Sequence, residues 1–370
     1  MTEETQFIVV GAGLLGLAVT RELARRGRDV LCVEQATIGH ERAGSKGTSR
    51  LFRYGYEDPF YVGLAMKSLA GWRRLSEESG ARLLEPVGLL SLGDGLDALV
   101  AAMAEAGASS EFLSGEELTA RFPSFAISGR AVFEATAGVL RADEILSVLA
   151  RSARGFGAEI LEGARVGALE AGDDSVRLQL PDGSRRCDIV VLCGGAWSGD
   201  LAAAAGLAPR GTFRPSLQQV AYLEPKAGVA RPEPAFVERG EVTYYGLPTP
   251  ATGHYKIGIH DPGESLDPAT ASLDDDPAAL ELLVAAAERL LPGFRADPVG
   301  TERCFYDNTA DADFVIDRRG RVVIGAGTSG HGFKFAPLLA IALADLAEGS
   351  APSLPRGRFS LGRFSPGRAR

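Results

Sequence analysis

Phe7 to Glu34, FIVVGAGLLGLAVTRELARRGRDVLCVE, carries the spacing Gly11-x-Gly13-x-x-Gly16 and ends on an acid. Gly11 permits a tight turn, Gly13 lets a pyrophosphate approach the backbone, and Gly16 lets a helix pack on the strand before it. The helix N-terminus would face the phosphates. Glu34, 23 residues after Gly11, would accept hydrogen bonds from a ribose. The spacing points to a dinucleotide and leaves NAD and FAD open.

Four further stretches hold candidate chemistry. IGAGTSGHGFKFAP (324–337) is a second glycine-rich turn before a helix, and it contains Lys334. A cation at the positive end of a helix dipole is disfavoured by a few tenths to ~1 kcal/mol. The position makes sense with an anion opposite, such as a substrate carboxylate; otherwise the lysine reaches solvent. In HYKIGIH an alternating strand puts Lys256, Gly258 and His260 on one face, where a lysine beside a glycine leaves room for a flat ring. From the strand alone, a solvent-facing lysine fits better. SKGTSRLFR supplies Lys46, Arg50 and Arg53, suited to a carboxylate or phosphate, or simply a solvated basic loop. In TERCFYDN, Cys304 stands apart from the apolar runs that hold Cys32, Cys187 and Cys193, and by itself reads as a buried thiol. The four histidines, His40, His254, His260 and His331, do not pair with cysteine at zinc-ligand spacing, and the GxSxG of a serine hydrolase is absent.

The elements that must position these residues follow from periodicity. The first stretch reads strand, turn, helix, strand, with the helix stopped at Arg25-Arg26-Gly27. YVGLAMKSLAGWRRLSEES, DALVAAMAEAG and DEILSVLARSARGFG read as helices. VGALEAGDDSVRLQL followed by SRRCDIVVLCGGAW reads as a hairpin-like pair. LQQVAYLE, VTYYGLP and HYKIGIH alternate with period two, which suggests an antiparallel sheet with one ligand-facing side. Tyr244 and Tyr245 then fall on opposite faces. RVVIGAG reads as a buried strand, and FAPLLAIALADLAEG as a helix with Pro337 in its first turn and Gly349 beyond its end. The basic tail GRFSLGRFSPGRAR reads as a solvated or partly ordered segment rather than an anion contact.

The chain has 370 residues, 45% hydrophobic and 24% charged, which suits two domains. A formal net charge of −9 argues against nucleic-acid binding. Four scattered cysteines without CxxC fit a reducing compartment. The acidic start MTEETQ is unlike a signal peptide. No run approaches the ~20 apolar residues of a membrane span. Together these features predict a cytoplasmic protein.

Taken together, GAGLLGLAVTRELARRG, GTSRLFR, VLCGGAW, YYGLP with YKIGIH, CFYDNTADADFVID and GTSGHGFKF resemble the monomeric sarcosine oxidase family. That family comprises FAD-dependent amine oxidases, including N-methyltryptophan and pipecolate oxidases, within the D-amino-acid-oxidase-like flavoproteins. The resemblance covers nearly the whole chain. It implies that Gly11, Gly13, Gly16 and Glu34 hold the ADP half of FAD, with Lys46, Ser49, Val166 and Gly330 also at the cofactor. It implies that Arg50 lies against the flavin and that Cys304 forms a thioether with the flavin's 8α-methyl group. Lys256 would lie under the ring and activate oxygen. Arg53 and Lys334 would grip the substrate carboxylate, while Tyr245, His260 and Tyr306 would line the substrate pocket. Lys46 stands where a histidine commonly precedes the glycine of the GxxR loop, and Thr48 where an acidic residue often sits.

The resulting expectation is a two-domain α/β flavoprotein. A Rossmann-like FAD-binding domain would comprise residues 1–82, 141–211 and 310–370. A substrate-binding domain built on an antiparallel sheet would comprise 83–140 and 212–309. The expected reaction oxidises a secondary or N-methyl amino acid to an imine and reduces oxygen to hydrogen peroxide, in a monomer. Oxidation of a primary or cyclic amino acid, or transfer of electrons to a carrier instead of oxygen, are the alternatives.

Overall fold

The strand Glu3–Val10 lies at the centre of an eight-stranded sheet, and its partners explain why its second half, residues 7–10, is apolar on both faces. It pairs in parallel with Val30–Val33 on one side and Gly183–Leu192 on the other, with Val9 opposite both Cys32 and Val191. A parallel strand covered on both faces reads as a continuous apolar run. The structure, a computed structural model, describes residues 3–229 and 233–364. The helices Leu14–Arg25, Ala142–Gly155 and Ala336–Ala347 contribute to one hydrophobic core on this sheet, and Leu178, Ala202 and Leu207 belong to another.

The turn between Val10 and Leu14 depends on glycine. Gly11 has φ +100°, and a Cβ there would lie 2.4 Å from the carbonyl oxygen of Cys193. A Cβ on Gly16 would lie 1.8 Å from the Gly11 carbonyl oxygen. The helix therefore starts hard against the strand end. Its N-cap, Gly13, makes no side-chain cap; Leu14 N donates to Ser45 Oγ at 3.3 Å, and that serine is the side chain that answers the first turn. Leu14 and Leu15 both line a cavity; Leu14 and Leu17 belong to the core, and Leu15 packs against it.

A second eight-stranded sheet runs, in spatial order, from Gly300–Asn308 through Arg214–Leu223, His254–Ile259, Tyr244–Thr249 and Ala235–Arg239 to strands between 89 and 134. The long central strands are antiparallel, as the period-two alternation predicts. Tyr255 and Ile257 face a core under the helix Pro277–Leu290; Lys256 faces the other way. A third sheet of three short strands, Arg50–Phe52, Gly138–Leu140 and Leu84–Pro86, stitches the two large sheets' segments together. The helix Leu96–Glu105 likewise sends Leu96, Leu99 and Met103 into the core that holds the first helix.

Two local expectations change. VGALEAGDDSVRLQL is itself a complete hairpin, Ala168–Ala171 with Val176–Leu180 around a Gly172–Ser175 turn, and the next strand extends the sheet. The basic tail is not solvated as far as residue 364. Phe359 and Leu361 are buried, Arg358 pairs with Asp58 and Asp313, and Arg363 with Asp311. These two cations answer acids of the same chain. Residues 365–370 lie outside the described residues.

Candidate active site

One cavity of about 460 Å³ runs from the glycine turn of the first sheet to the inner face of the second. At the first end, Gly11, Gly13 and Glu34 line it. Glu34 is buried, and one carboxylate oxygen accepts from Ala12 N at 2.7 Å while the other accepts from Ala36 N at 3.0 Å. This fixes the acid beside the open turn with lone pairs to spare for a diol. Its carbonyl accepts from Ala164 N at 2.7 Å, which brings Val166 to the same end of the cavity. A Cβ on Gly13 would meet only Ser45 Oγ, at 3.5 Å, so backbone approach is open there. A helix N-terminus without a cap from its own N-cap residue, a bare backbone and a positioned acid fit the pyrophosphate and ribose of a dinucleotide.

At the middle, Ser49 comes from the loop after residue 43, Arg50 from the start of the strand Arg50–Phe52, Lys256 from its strand and Cys304 from the strand Gly300–Asn308. Lys256 Nζ donates to the Ser49 carbonyl at 2.6 Å. Burial, followed by the Arg50 charge, lowers the Lys256 pKa to about 7. Arg50 donates only to carbonyls, those of Ser49, Gly44 and Lys46, and lies 5.8 Å over the Phe333 ring. A buried ammonium and a half-buried guanidinium thus share the middle of the cavity. Ser49 Oγ is buried there without a hydrogen-bond partner, an orphan suited to a polar ring atom. Glu302, Cys304 and Tyr306 alternate along one strand onto the cavity face, and Glu302 accepts from Tyr222 at 2.7 Å.

Tyr245, His260 and Tyr306 meet at the far end. His260 Nδ1 lies 3.3 Å from the Tyr306 hydroxyl. A Cβ on Gly330 would lie 2.2 Å from the Tyr306 ring, so the glycine turn admits that phenol. The flat ring beside Gly258 is Tyr245, its direct cross-strand partner, because a Cβ there would lie 2.6 Å from the Tyr245 ring. The space that the lysine–glycine pattern promised is filled by this phenol.

Arg53 and Lys334 gather around one residue that pattern reading did not single out, Tyr56. The Arg53 guanidinium lies 4.5 Å over the Tyr56 ring, and Lys334 Nζ donates to its hydroxyl at 2.9 Å and to the His331 carbonyl at 2.9 Å. The Tyr56 hydroxyl lies 3.1 Å from His331 Nδ1, and His331 Nε2 lies 2.9 Å from the Ala312 carbonyl. A carbonyl only accepts, so Nε2 carries the proton and Nδ1 accepts from Tyr56. Burial, then the Arg53 charge, drives the Lys334 pKa well down. Arg53 Nη1 is buried without a partner. The nearby acid Glu134 is committed elsewhere, accepting from Tyr54 N at 2.7 Å and Gly55 N at 3.0 Å. An anion placed between Arg53 and Lys334 would satisfy both cations.

All the candidate residues line this cavity except Gly16 and Lys46. Gly16 acts through packing. The Lys46 side chain does not reach the cavity; its carbonyl instead holds Arg50. Sequence reasoning missed Tyr56, Glu134, Arg239, His331 and Asp307. Asp307 had a legible signal, an acid one residue beyond Tyr306. Its carboxylate accepts from Gly327 N at 2.8 Å, from Thr328 N at 2.9 Å and from the Thr328 hydroxyl, and so pins the second glycine turn to the cysteine strand.

The described residues hold no group of three or more candidate ligands for a metal ion. A family model described as FAD dependent oxidoreductase matches residues 6–346. The peroxisomal sarcosine oxidase of Mus musculus is 32% identical, over 99% of this chain and 98% of that one. The monomeric sarcosine oxidase of Bacillus sp. (strain B-0618) is 31% identical, over 94% and 93%. Among solved structures, NikD, an unusual amino acid oxidase essential for nikkomycin biosynthesis, superposes with a TM-score of 0.87 at 25% identity, over 97% and 98%.

Proposed function

The chain belongs to the FAD-dependent oxidoreductase family, and from that premise we propose that it oxidises a secondary or N-methyl amino acid to an imine and passes the electrons to oxygen as hydrogen peroxide. One observation carries this reading: Arg53 and Lys334 meet on Tyr56 in a cavity also lined by Lys256 and Cys304. Bound FAD would supply the two-electron acceptor. Gly11, Gly13, Glu34, Val166, Ser49, Arg50 and Gly330 would hold it, with Cys304 Sγ joined to its 8α-methyl carbon.

The residues divide the work. Arg53 and Lys334 fix the substrate carboxylate by charge-assisted hydrogen bonds. Tyr245, Tyr306 and His260 wall the pocket and exclude water. Oxidation requires the neutral amine, and the desolvated, cation-lined pocket favours loss of its proton. Lys256 places a fixed positive charge where negative charge develops as oxygen is reduced. That role supports oxygen rather than a carrier as acceptor. In the same reading, residues 1–82, 141–211 and 310–370 form the cofactor unit, and 83–140 with 212–309 the substrate unit. Free cysteines at all four positions and the −9 charge support a cytoplasmic monomer. Among the described residues no helix is long and apolar enough to cross a membrane.

The test offers sarcosine, N-methyltryptophan, pipecolate, proline and glycine under air and measures peroxide. Peroxide release with a secondary or N-methyl amino acid is expected, with bleaching of the flavin when oxygen is removed. Absence of bleaching with every carboxylate-bearing amine would sink the reading.

A further inference from the structure

Arg239 ends the strand Ala235–Arg239 and sits on the cavity wall. Val237 is opposite Tyr245, which is opposite Gly258. One step along the same register, Arg239, Thr243 and His260 form the next row, and all three line the cavity. His260 N donates to the Thr243 carbonyl at 2.8 Å, which fixes that row. Rows on one face are roughly 7 Å apart, two residues of strand. The Arg239 row is therefore one step beyond Tyr245 and two beyond the row of Lys256, where Lys256 is opposite Leu247.

The guanidinium there is under-paired. Arg239 Nη1 is buried with no hydrogen-bond partner, as is Arg53 Nη1. The acid nearest to Arg239 is Glu57, 3.8 Å from Nε and itself about half exposed. Burial and then the Arg53 charge lower the Arg239 pKa to about 10, so the two guanidinium groups feel each other. Glu134, the buried acid, is already taken by backbone N–H groups. Arg53, Lys334 and Arg239 thus face one pocket, and a single α-carboxylate held by the first two leaves the third with only its long contact to the half-exposed Glu57. A largely buried guanidinium whose Nη1 lacks an acceptor is costly.

We propose that the substrate carries a second carboxylate on its side chain, and that Arg239 binds it. This makes the preferred substrate an N-methylated or cyclic amino dicarboxylate. The α-carboxylate takes Arg53 and Lys334, and the side chain runs along the row of Thr243 to Arg239. The inference rests on the amino-acid oxidase reading above and narrows its substrate.

The holoenzyme is assayed with N-methyl-L-aspartate and N-methyl-L-glutamate against sarcosine and N-methyl-L-alanine. At least a tenfold higher kcat/KM is expected for one of the acidic pair, and Arg239→Gln should lower that acidic-to-neutral ratio tenfold or more. In parallel, calorimetric titration should show glutarate binding more tightly than butyrate to the wild type, with the difference lost in Arg239→Gln. This second readout holds even if the variant turns over poorly. Arg239→Lys should recover part of the ratio. Oxidation of the neutral amines with no preference for the acidic ones, or a ratio unmoved by Arg239→Gln, overturns the inference and leaves the oxidase reading standing. Failure to oxidise any of these or the amines offered above overturns both.

Discussion

Lys256 is the residue at which charge and chemistry are most tightly linked. Its ammonium is buried, donates to the Ser49 carbonyl and lies in the field of Arg50. With a pKa near 7 it is charged below that pH and loses its proton as pH rises through it. An anion bound alongside moves the midpoint upward. Oxygen-dependent turnover should therefore fall as pH rises through the midpoint, and a Lys256→Met enzyme should lack that limb. The variant should still be reduced by substrate without oxygen, while its reaction with oxygen slows by about 100-fold or more, the scale of removing one preorganised electrostatic group. Stopped-flow measurement of the two half-reactions separates these effects, and an unchanged oxygen reaction would remove Lys256 from the mechanism. Cys304 permits a simpler check. Acid precipitation of the wild type should carry the yellow colour into the pellet, whereas Cys304→Ala should leave it in solution; colour in the wild-type supernatant would show that no tether forms.

At the scale of elements, the site depends on how the cysteine strand meets the second glycine turn. Asp307 gathers two backbone N–H groups and a hydroxyl from Gly327 and Thr328, and Gly330 admits the Tyr306 ring. Removing the acid leaves those donors without an acceptor, at a cost of about 2 kcal/mol. Asp307→Ala should lower the urea midpoint accordingly, and Asp307→Asn less, because its amide oxygen can still accept. An Asp307→Ala protein that melts like the wild type would mean the turn holds itself. This junction also shows what the sequence could reveal. Alternation in HYKIGIH put Lys256 and His260 on one face, and Gly11-x-Gly13-x-x-Gly16 marked the first turn, because backbone geometry enforces both patterns. Tyr56, Glu134 and Arg239 were not legible. Their meaning arises from contacts between segments far apart in the chain, Tyr56 with Lys334 and Glu134 with Tyr54, which no local period encodes. The tail misled for the same reason. Arg358 and Arg363 looked solvated until Asp313 and Asp311 were placed beside them.

Across the whole molecule, the last described segment connects to the pocket through aromatic rings. The buried Phe359 ring lies 5.6 Å from Phe314, and Phe314 lies 4.8 Å from His331, whose Nδ1 faces the Tyr56 hydroxyl that also accepts from Lys334. Arg358 adds ion pairs to Asp58, the N-cap of the helix Pro59–Ser79, and to Asp313. The segment with Arg358 and Phe359 therefore braces the side of the pocket that holds the cationic pair. Truncating a buried phenylalanine to alanine costs about 3–5 kcal/mol through lost burial and the cavity left behind. Phe359→Ala should lower the melting temperature by several degrees. If the rings transmit the disturbance, it should also loosen His331 and hence the seat of Lys334. KM for a carboxylate-bearing amine should then rise several-fold while kcat changes less, because the grip on the carboxylate is weakened and Lys256, across the cavity, is untouched. Wild-type KM at a temperature where both proteins remain folded, together with a lowered melting point, would confine Phe359 to stability. A KM increase that vanishes for a substrate analogue lacking the carboxylate would tie Phe359 to the Arg53–Lys334 pair.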